Sequence, residues 1–337
     1  MANDYVQAVR RGASAAAQLH RKLDLRDRLT AAGGAVNVFG LIHELKIPLL
    51  LRPLDGLLGA YLTAPTQGIL VTTERPLSIQ RFTAAHELGH CMLDHLPSLD
   101  DDDSVLRRMS NMSGPDYLDQ ETEADGFAVG FMLPKWLLAE TMKRQGWILD
   151  DLHRPNVVYQ LSLRVGASYE AMCWTFVRYN MMSTKHARAL LQTKPKILKE
   201  FLLAGHKPPN YRGDVWLLTE KDAGARIDGS RNDLFVLKLA EHSNGGYLWN
   251  LDQLRESGFA IVRDEVEAAE AESIGDIGER RITAKPPEEY RGRIVLDETR
   301  PWDPDQSRER LELELDFTGP EEAGLSRAER RQMLEAA

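Results

Sequence analysis

Apolar residues recur three and four apart through residues 4–31, among many alanines and few prolines, and this spacing predicts helix. A second helical pattern, Val36 to Leu45, ends before Pro48. The period then changes. Leu49-Leu50-Leu51 and Gly59-Ala60-Tyr61-Leu62 are short apolar runs set among Pro and Gly, and Gly68 to Thr73 is rich in β-branched residues; together they predict two or three strands of a small sheet. Helix returns from Ile79 to His95 and again from Asp119 to Leu133, stopping at Pro134. Between them, Ser98 to Ser104 carries four consecutive aspartates and is expected to be a solvated loop. Residues 136–144, 156–164, 168–181 and 184–204 read as further helices before Pro208-Pro209-Asn210 punctuates the chain.

Beyond residue 210 the runs are short and strand-like: Asp233–Leu239, Phe259–Arg263, Arg280–Lys285 and Gly292–Leu296. Leu311 to Phe317 alternates strictly, which gives a strand one buried and one wet face. Turn signals separate these runs, so this half predicts an all-β sandwich. A short helix closes the chain, with Ser326 and Glu329 at capping-box spacing. The fold class expected is α+β: helices on a small sheet, then an immunoglobulin-like sandwich. The expected division is residues 1–207, 208–320 and a C-terminal helix at 321–337.

The chain has 337 residues, enough for two domains, and its 43% hydrophobic content supplies their cores. A net charge of −9 makes general binding to nucleic-acid phosphates a poor expectation. Two cysteines, Cys91 and Cys173, cannot form a disulfide framework and fit a reducing cytoplasm. The first thirty residues hold no apolar core of signal-peptide length, and no apolar run is long enough for a membrane span.

Candidate chemistry centres on His86-Glu87-Leu88-Gly89-His90. Histidines four apart on a helix share a face and can grip one ion, while Glu87 lies on the adjacent strip, within reach of a water. A catalytic zinc site needs a third protein ligand and one open position. The next helix offers Glu121 and Asp125, four apart: Glu121 as ligand and Asp125 as acceptor for the far N–H of a ligand histidine. Glu123 is the alternative ligand, pointing roughly opposite to Glu121. The competing reading is a surface helix bearing two solvated histidines. His95 could be a third histidine ligand, but five past His90 it falls on a different helical face and reads instead as exposed or as a residue supporting a ligand from behind; Cys91 reads as core. Gly89 allows close approach of another backbone.

These motifs, His86 to His95 and Glu121-Thr-Glu-Ala-Asp125-Gly-Phe-Ala through Phe131-Met-Leu-Pro134, resemble the ImmA/IrrE zinc metallopeptidases over about residues 35–200. The resemblance implies a gluzincin-like fold, one zinc per chain held by His86, His90 and Glu121, and Glu87 as general base. It also implies cleavage of a regulatory protein, such as a helix-turn-helix repressor or antitoxin-like factor, in transcription or stress control. Residues 157–177 resemble that family's downstream helical segment. Ser243 to Trp249, Ile274 to Gly278 and Arg300-Pro-Trp-Asp303 resemble, in order, the loops of chagasin-like inhibitors of papain-type proteases, although the first loop lacks its Pro-Thr-Thr portion.

Substrate is expected to add a strand to a sheet edge, with residues 68–73 as the candidate edge and a central position as the alternative. Tyr117, His153 and Tyr159 are candidate oxyanion helpers. The rival functions are a non-catalytic, metal-stabilised binding protein whose β domain holds a partner or inhibits a protease, and a DNA-binding regulator using residues 157–177, which the negative charge disfavours.

Overall fold

The computed structural model describes residues 2–64, 66–96, 98–101, 119–267, 277–317, 321, 323–326, 329–330 and 332–333. The first helical stretch is two helices, α1 (Ala2–Lys22) and α2 (Leu25–Ala32). Asp24 breaks them apart in the left-handed conformation (φ 48°), which its short polar side chain tolerates. After α3 (Val38–Glu44), capped by the Asn37 side chain, come β1 (Leu49–Arg52), β2 (Leu57–Leu62) and β3 (Gly68–Thr72).

β3 lies between β1, to which it is parallel, and β2, to which it is antiparallel. Residues 68–73 are therefore central, not the expected edge; Ile69 and Val71 are buried because both neighbours and a helix cover them. The acidic segment expected as loop contributes β4 (Ser98–Asp101), paired antiparallel with β2. Main-chain pairing needs no apolar side chain, so the aspartates did not prevent it.

Helix α4 (Leu77–Met92) packs on β2 and β3, and α5 (Asp119–Met132) packs on α4. α1 covers the other side of α5. These two helices touch backbone to backbone: a Cβ on Gly12 would stand 1.9 Å from the Glu123 carbonyl oxygen, and one on Gly126 2.7 Å from that of Val9. Then follow α6 (Lys135–Gln145), a 3-10 turn (Leu149–His153), α7 (Pro155–Arg164), α8 (Tyr169–Arg178), α9 (Thr184–Leu190) and α10 (Pro195–Leu203). The expected single helix at 184–204 divides at Pro195, which opens α10.

The β half is a sandwich. β5 (Val215–Leu218), β7 (Leu234–Glu241), β9 (Ala260–Glu267) and β10 (Gly278–Lys285) form one sheet, ordered β5-β7-β10-β9. β6 (Ala225–Asp228), β8 (Leu248–Trp249), β11 (Arg291–Arg300) and β12 (Asp303–Asp316) form the other, ordered β6-β12-β11-β8. Phe235 contacts Phe259 and Phe317 between them, at ring separations of 5.3 and 5.8 Å. α11 (Asp252–Glu256) lies against β11.

Among the described residues, two of the connections between the halves run through strand edges. β13 (Gly324–Leu325) returns from the tail to pair with the outer edge of β1. Just beyond it, Ser326 Oγ accepts from the Glu329 amide while Glu329 Oε2 accepts from that of Ser326. At the other connection, α7 seals the edge of β5 with side chains. Tyr159 Oη accepts from the Val215 amide at 3.0 Å. Gln160 donates to the Val215 carbonyl and accepts from the Leu217 amide, each at 2.8 Å. Arg164 donates to the Leu217 carbonyl at 2.7 Å and is paired with buried Asp222 at 2.9 Å. Among the described residues no helix is long and apolar enough to cross a membrane.

Candidate metal centre

α4 lies between the sheet and α5, so polar residues on its inner face are buried with the apolar ones. His86, Glu87 and His90 are at most 1% exposed. The two Nε2 atoms are 3.0 Å apart. Glu121, in the first turn of α5, places Oε2 3.2 Å from His86 Nε2 and 3.6 Å from His90 Nε2. Gly89 permits this approach: a Cβ there would meet Phe127 Cβ at 3.1 Å and Ala124 Cα at 3.2 Å.

The donor set fits zinc. Two imidazole nitrogens and a carboxylate oxygen are the ligand types of a catalytic zinc site. Bonds of about 2.0–2.1 Å at tetrahedral angles separate ligand atoms by about 3.3–3.4 Å, and the three separations here, 3.0, 3.2 and 3.6 Å, bracket that value. Protonation agrees. Burial pushes His90 below the ordinary histidine value, toward the neutral form that can ligate. Burial opposes ionisation of Glu121, but the two imidazoles beside it outweigh burial and hold the carboxyl well below its usual range.

Outside this triangle, Asp125 Oδ1 lies 2.9 Å from His86 Nδ1, one helical turn beyond Glu121. Glu123 is not part of the cluster; its carboxylate binds Arg11 at 2.6 Å and His95 Nε2 at 3.1 Å. The His95 ring is turned back under α4, with Nδ1 3.0 Å from His90 Nδ1. Cys91 faces the sheet, where Gln67 donates to its Sγ at 3.3 Å, and burial raises its thiol pKa. Beside Glu87 is Gly59 of β2: a Cβ there would stand 3.0 Å from Glu87 Oε1.

The oxyanion candidates fare differently. Tyr159 is committed to the β5 edge, its hydroxyl donating to Asp214 at 2.9 Å. His153 is exposed and stacks on His186 at 4.0 Å. Both are thereby displaced from the expected role, and Tyr117 lies outside the described residues.

In the sandwich, Trp249 is core, donating from Nε1 to the Ala240 carbonyl at 2.8 Å. Trp302 is 72% exposed. Its ring lies on Gly246, where a Cβ would come within 2.4 Å of it, and Arg300 sits 4.4 Å over the neighbouring Tyr247 ring. Of the second resembling loop, residues 274–276 lie outside the described residues.

Fold and site define a two-module protein, a metallopeptidase-like α+β module followed by a chagasin-like β-sandwich. The family model described as IrrE N-terminal-like domain, of the peptidase class, matches residues 43–176. That described as Chagasin family peptidase inhibitor I42 matches residues 229–316. Amoebiasin-2 of Entamoeba histolytica is 28% identical over 108 residues, spanning 32% of this chain and 87% of that protein. The crystal structure of the cysteine protease inhibitor EhICP2 from Entamoeba histolytica is similar at 25% identity and TM-score 0.28, covering 32% of this chain and 99% of that one. The solution structure of amebosin is similar at 24% identity and TM-score 0.26, covering 30% and 95%.

Proposed function

We propose that the protein is a zinc-dependent endopeptidase that cleaves a specific regulatory protein, and that its β module recognises a partner or the substrate. The supporting observation is the convergence of His86 Nε2, His90 Nε2 and Glu121 Oε2 on one buried point, with Glu87 on the same helix. In this reading residues 1–207 are the peptidase module, 208–320 the recognition module and 321–337 a tail folded back on the first. The setting is cytoplasmic, consistent with two free, buried thiols.

Bound zinc would polarise the scissile carbonyl and lower the pKa of an attacking water to about 7. Glu87 takes that water's proton on a carboxylate oxygen and returns it to the leaving amine. Asp125 fixes the proton of His86 on Nδ1, which leaves Nε2 bare toward the cluster. Gly59 keeps the space in front of Glu87 clear. The substrate lies extended along the outer edge of β4, the strand on the Glu87 side of the sheet. By the family resemblance, its class is a helix-turn-helix repressor or antitoxin-like factor, cut in transcriptional or stress control.

The test is to incubate the protein with a repressor encoded beside it, with and without a chelator, and to measure zinc content in parallel. Glu87→Gln is expected to keep one zinc and to lose about 10²–10⁴-fold in cleavage. His86→Ala is expected to lose the metal. Normal cleavage by Glu87→Gln, or full zinc occupancy in His86→Ala, would refute the assignment.

A second reading concerns the sandwich alone. Its peptidase-inhibitor family and the exposed Trp302 favour docking of a papain-type protease at that loop end. Titration against papain decides between inhibition and no binding.

A further inference from the structure

α4 ends at Met92 and the chain reverses immediately: the Leu93 amide donates to the Gly89 carbonyl, and the His95 amide to that of His90. Asp94 makes the reversal possible at φ 53°. The turn brings the His95 side chain, 9% exposed, back beneath His90 instead of further round the helix. From there a continuous line of contacts leads away from the cluster. His90 Nδ1 meets His95 Nδ1 at 3.0 Å, His95 Nε2 meets Glu123 Oε2 at 3.1 Å, and Glu123 Oε1 meets Arg11 at 2.6–2.7 Å. Arg11 belongs to α1, which lies outside the matched peptidase domain of residues 43–176.

We propose that His95, Glu123 and Arg11 are positioning residues that fix the tautomer and ring orientation of His90 as a zinc ligand; this rests on the metal site proposed above. The direction of every proton follows from the two ends of the line. A cation takes a lone pair, so His90 Nε2 must be bare and its single proton sits on Nδ1. That proton can only be accepted by a bare His95 Nδ1, which places the His95 proton on Nε2. An ionised carboxylate only accepts, so Glu123 receives it, and Arg11 neutralises the charge. Reversing either imidazole would set two N–H groups, or two bare nitrogens, face to face. His86 is oriented by a direct carboxylate, Asp125; His90 has the same service at one remove, through an interposed imidazole. The backbone contact between Gly12 and Glu123 holds α1 at the distance Arg11 needs.

The test uses the full chain and zinc itself, with a chromogenic chelator as competitor. His95→Leu is expected to weaken zinc binding by about 10–100-fold. His95→Gln, whose amide offers an acceptor and a donor, recovers most of that loss, and Arg11→Ala, a half-exposed end of the line, changes affinity by about threefold or less. A merely structural role would lower the melting temperature of the metal-free protein; the proposal instead requires the zinc-induced rise in melting temperature to shrink in His95→Leu. Nitrogen NMR of the zinc-loaded wild type must find His95 protonated on Nε2 and bare on Nδ1. A proton on His95 Nδ1, or wild-type affinity in His95→Leu, overturns the proposal while leaving the metal site standing. Failure of the wild-type chain to bind zinc at all overturns both.

Discussion

Gln160→Leu tests whether the two modules are held together by the side-chain seal on β5. In the native state Gln160 serves two main-chain groups of that strand, donating to the Val215 carbonyl and accepting from the Leu217 amide at 2.8 Å. Gln160 is buried, so water does not replace it easily. Leucine fills nearly the same volume, which keeps any cavity contribution small. What is lost is the partner of one buried carbonyl and one shielded amide. At about 1–3 kcal/mol for each group left unmade, the cost is about 2–6 kcal/mol. Arg164 keeps a partner on this side, because its Nη1 also donates to the Gln160 main-chain carbonyl at 3.1 Å. Set against a typical domain stability of about 5–15 kcal/mol, this is a large fraction.

Urea unfolding gives the free energy, and amide exchange at Leu217 reports the local event. The expected result is a lowered midpoint, with loss of protection at Leu217 before the sandwich core opens. Gln192→Leu, at an exposed glutamine of α9's end, is the control and should change stability by less than about 0.5 kcal/mol. A cost below about 1 kcal/mol for Gln160→Leu, with Leu217 still protected, would show that the edge of β5 finds other partners and that the seal is incidental.

Two further perturbations probe other parts of the molecule. Gly59→Ala would put a Cβ 2.4 Å from Thr83 Cγ2 and 3.0 Å from Glu87 Oε1, so β2 and α4 must part, at a cost of about 1–3 kcal/mol by overpacking; thermal melting and cleavage should both fall with zinc retained, and an unchanged variant would refute the contact. Asp233 is a pH probe: burial, then the charge of Asp214, push its carboxyl up to about 7. The folded state therefore holds this proton more tightly than the unfolded chain, so its stabilising effect is complete below the ordinary value of 3.8 and is lost as pH rises through about 7. The stability difference between wild type and Asp233→Asn should accordingly shift against the wild type from pH 4 to 7 and then level off; a constant difference across that window contradicts the assignment.

The core of the candidate site was legible because helix geometry is local. Spacing of four puts His86 and His90 on one face, and the same spacing links Glu121 to Asp125, wherever the helices finally pack. His95 was legible only as a choice between an exposed residue and one supporting a ligand from behind. Counted along an unbroken helix it falls on another face, and the reversal that returns it depends on Asp94 at positive φ, where no glycine marks the turn. β4 was missed for a related reason: its pairing is main chain to main chain, and four aspartates carry no strand signal. The seal on β5 was hidden because Tyr159, Gln160 and Arg164 look like ordinary helix residues until their partner, more than fifty positions later, is known.

Periodicity gives which residues face one another, but not how close their elements come, and the metal site depends on closeness. The distance from His90 to Glu121 is the distance between α4 and α5, and Gly89 sets it by having no side chain where Ala124 and Phe127 pass. α5 is in turn pressed from its far side by α1, through Gly12 and Gly126. A single methyl at Gly89 would act directly on the separation of the donor atoms, since nothing softer than helix backbone and a buried phenylalanine lies opposite it. The ligand triangle is thus held by three layers of helix backbone, the outermost contributed by a helix that lies outside the matched peptidase domain. Removing α1 should therefore loosen the metal site although none of the three cluster residues belongs to it.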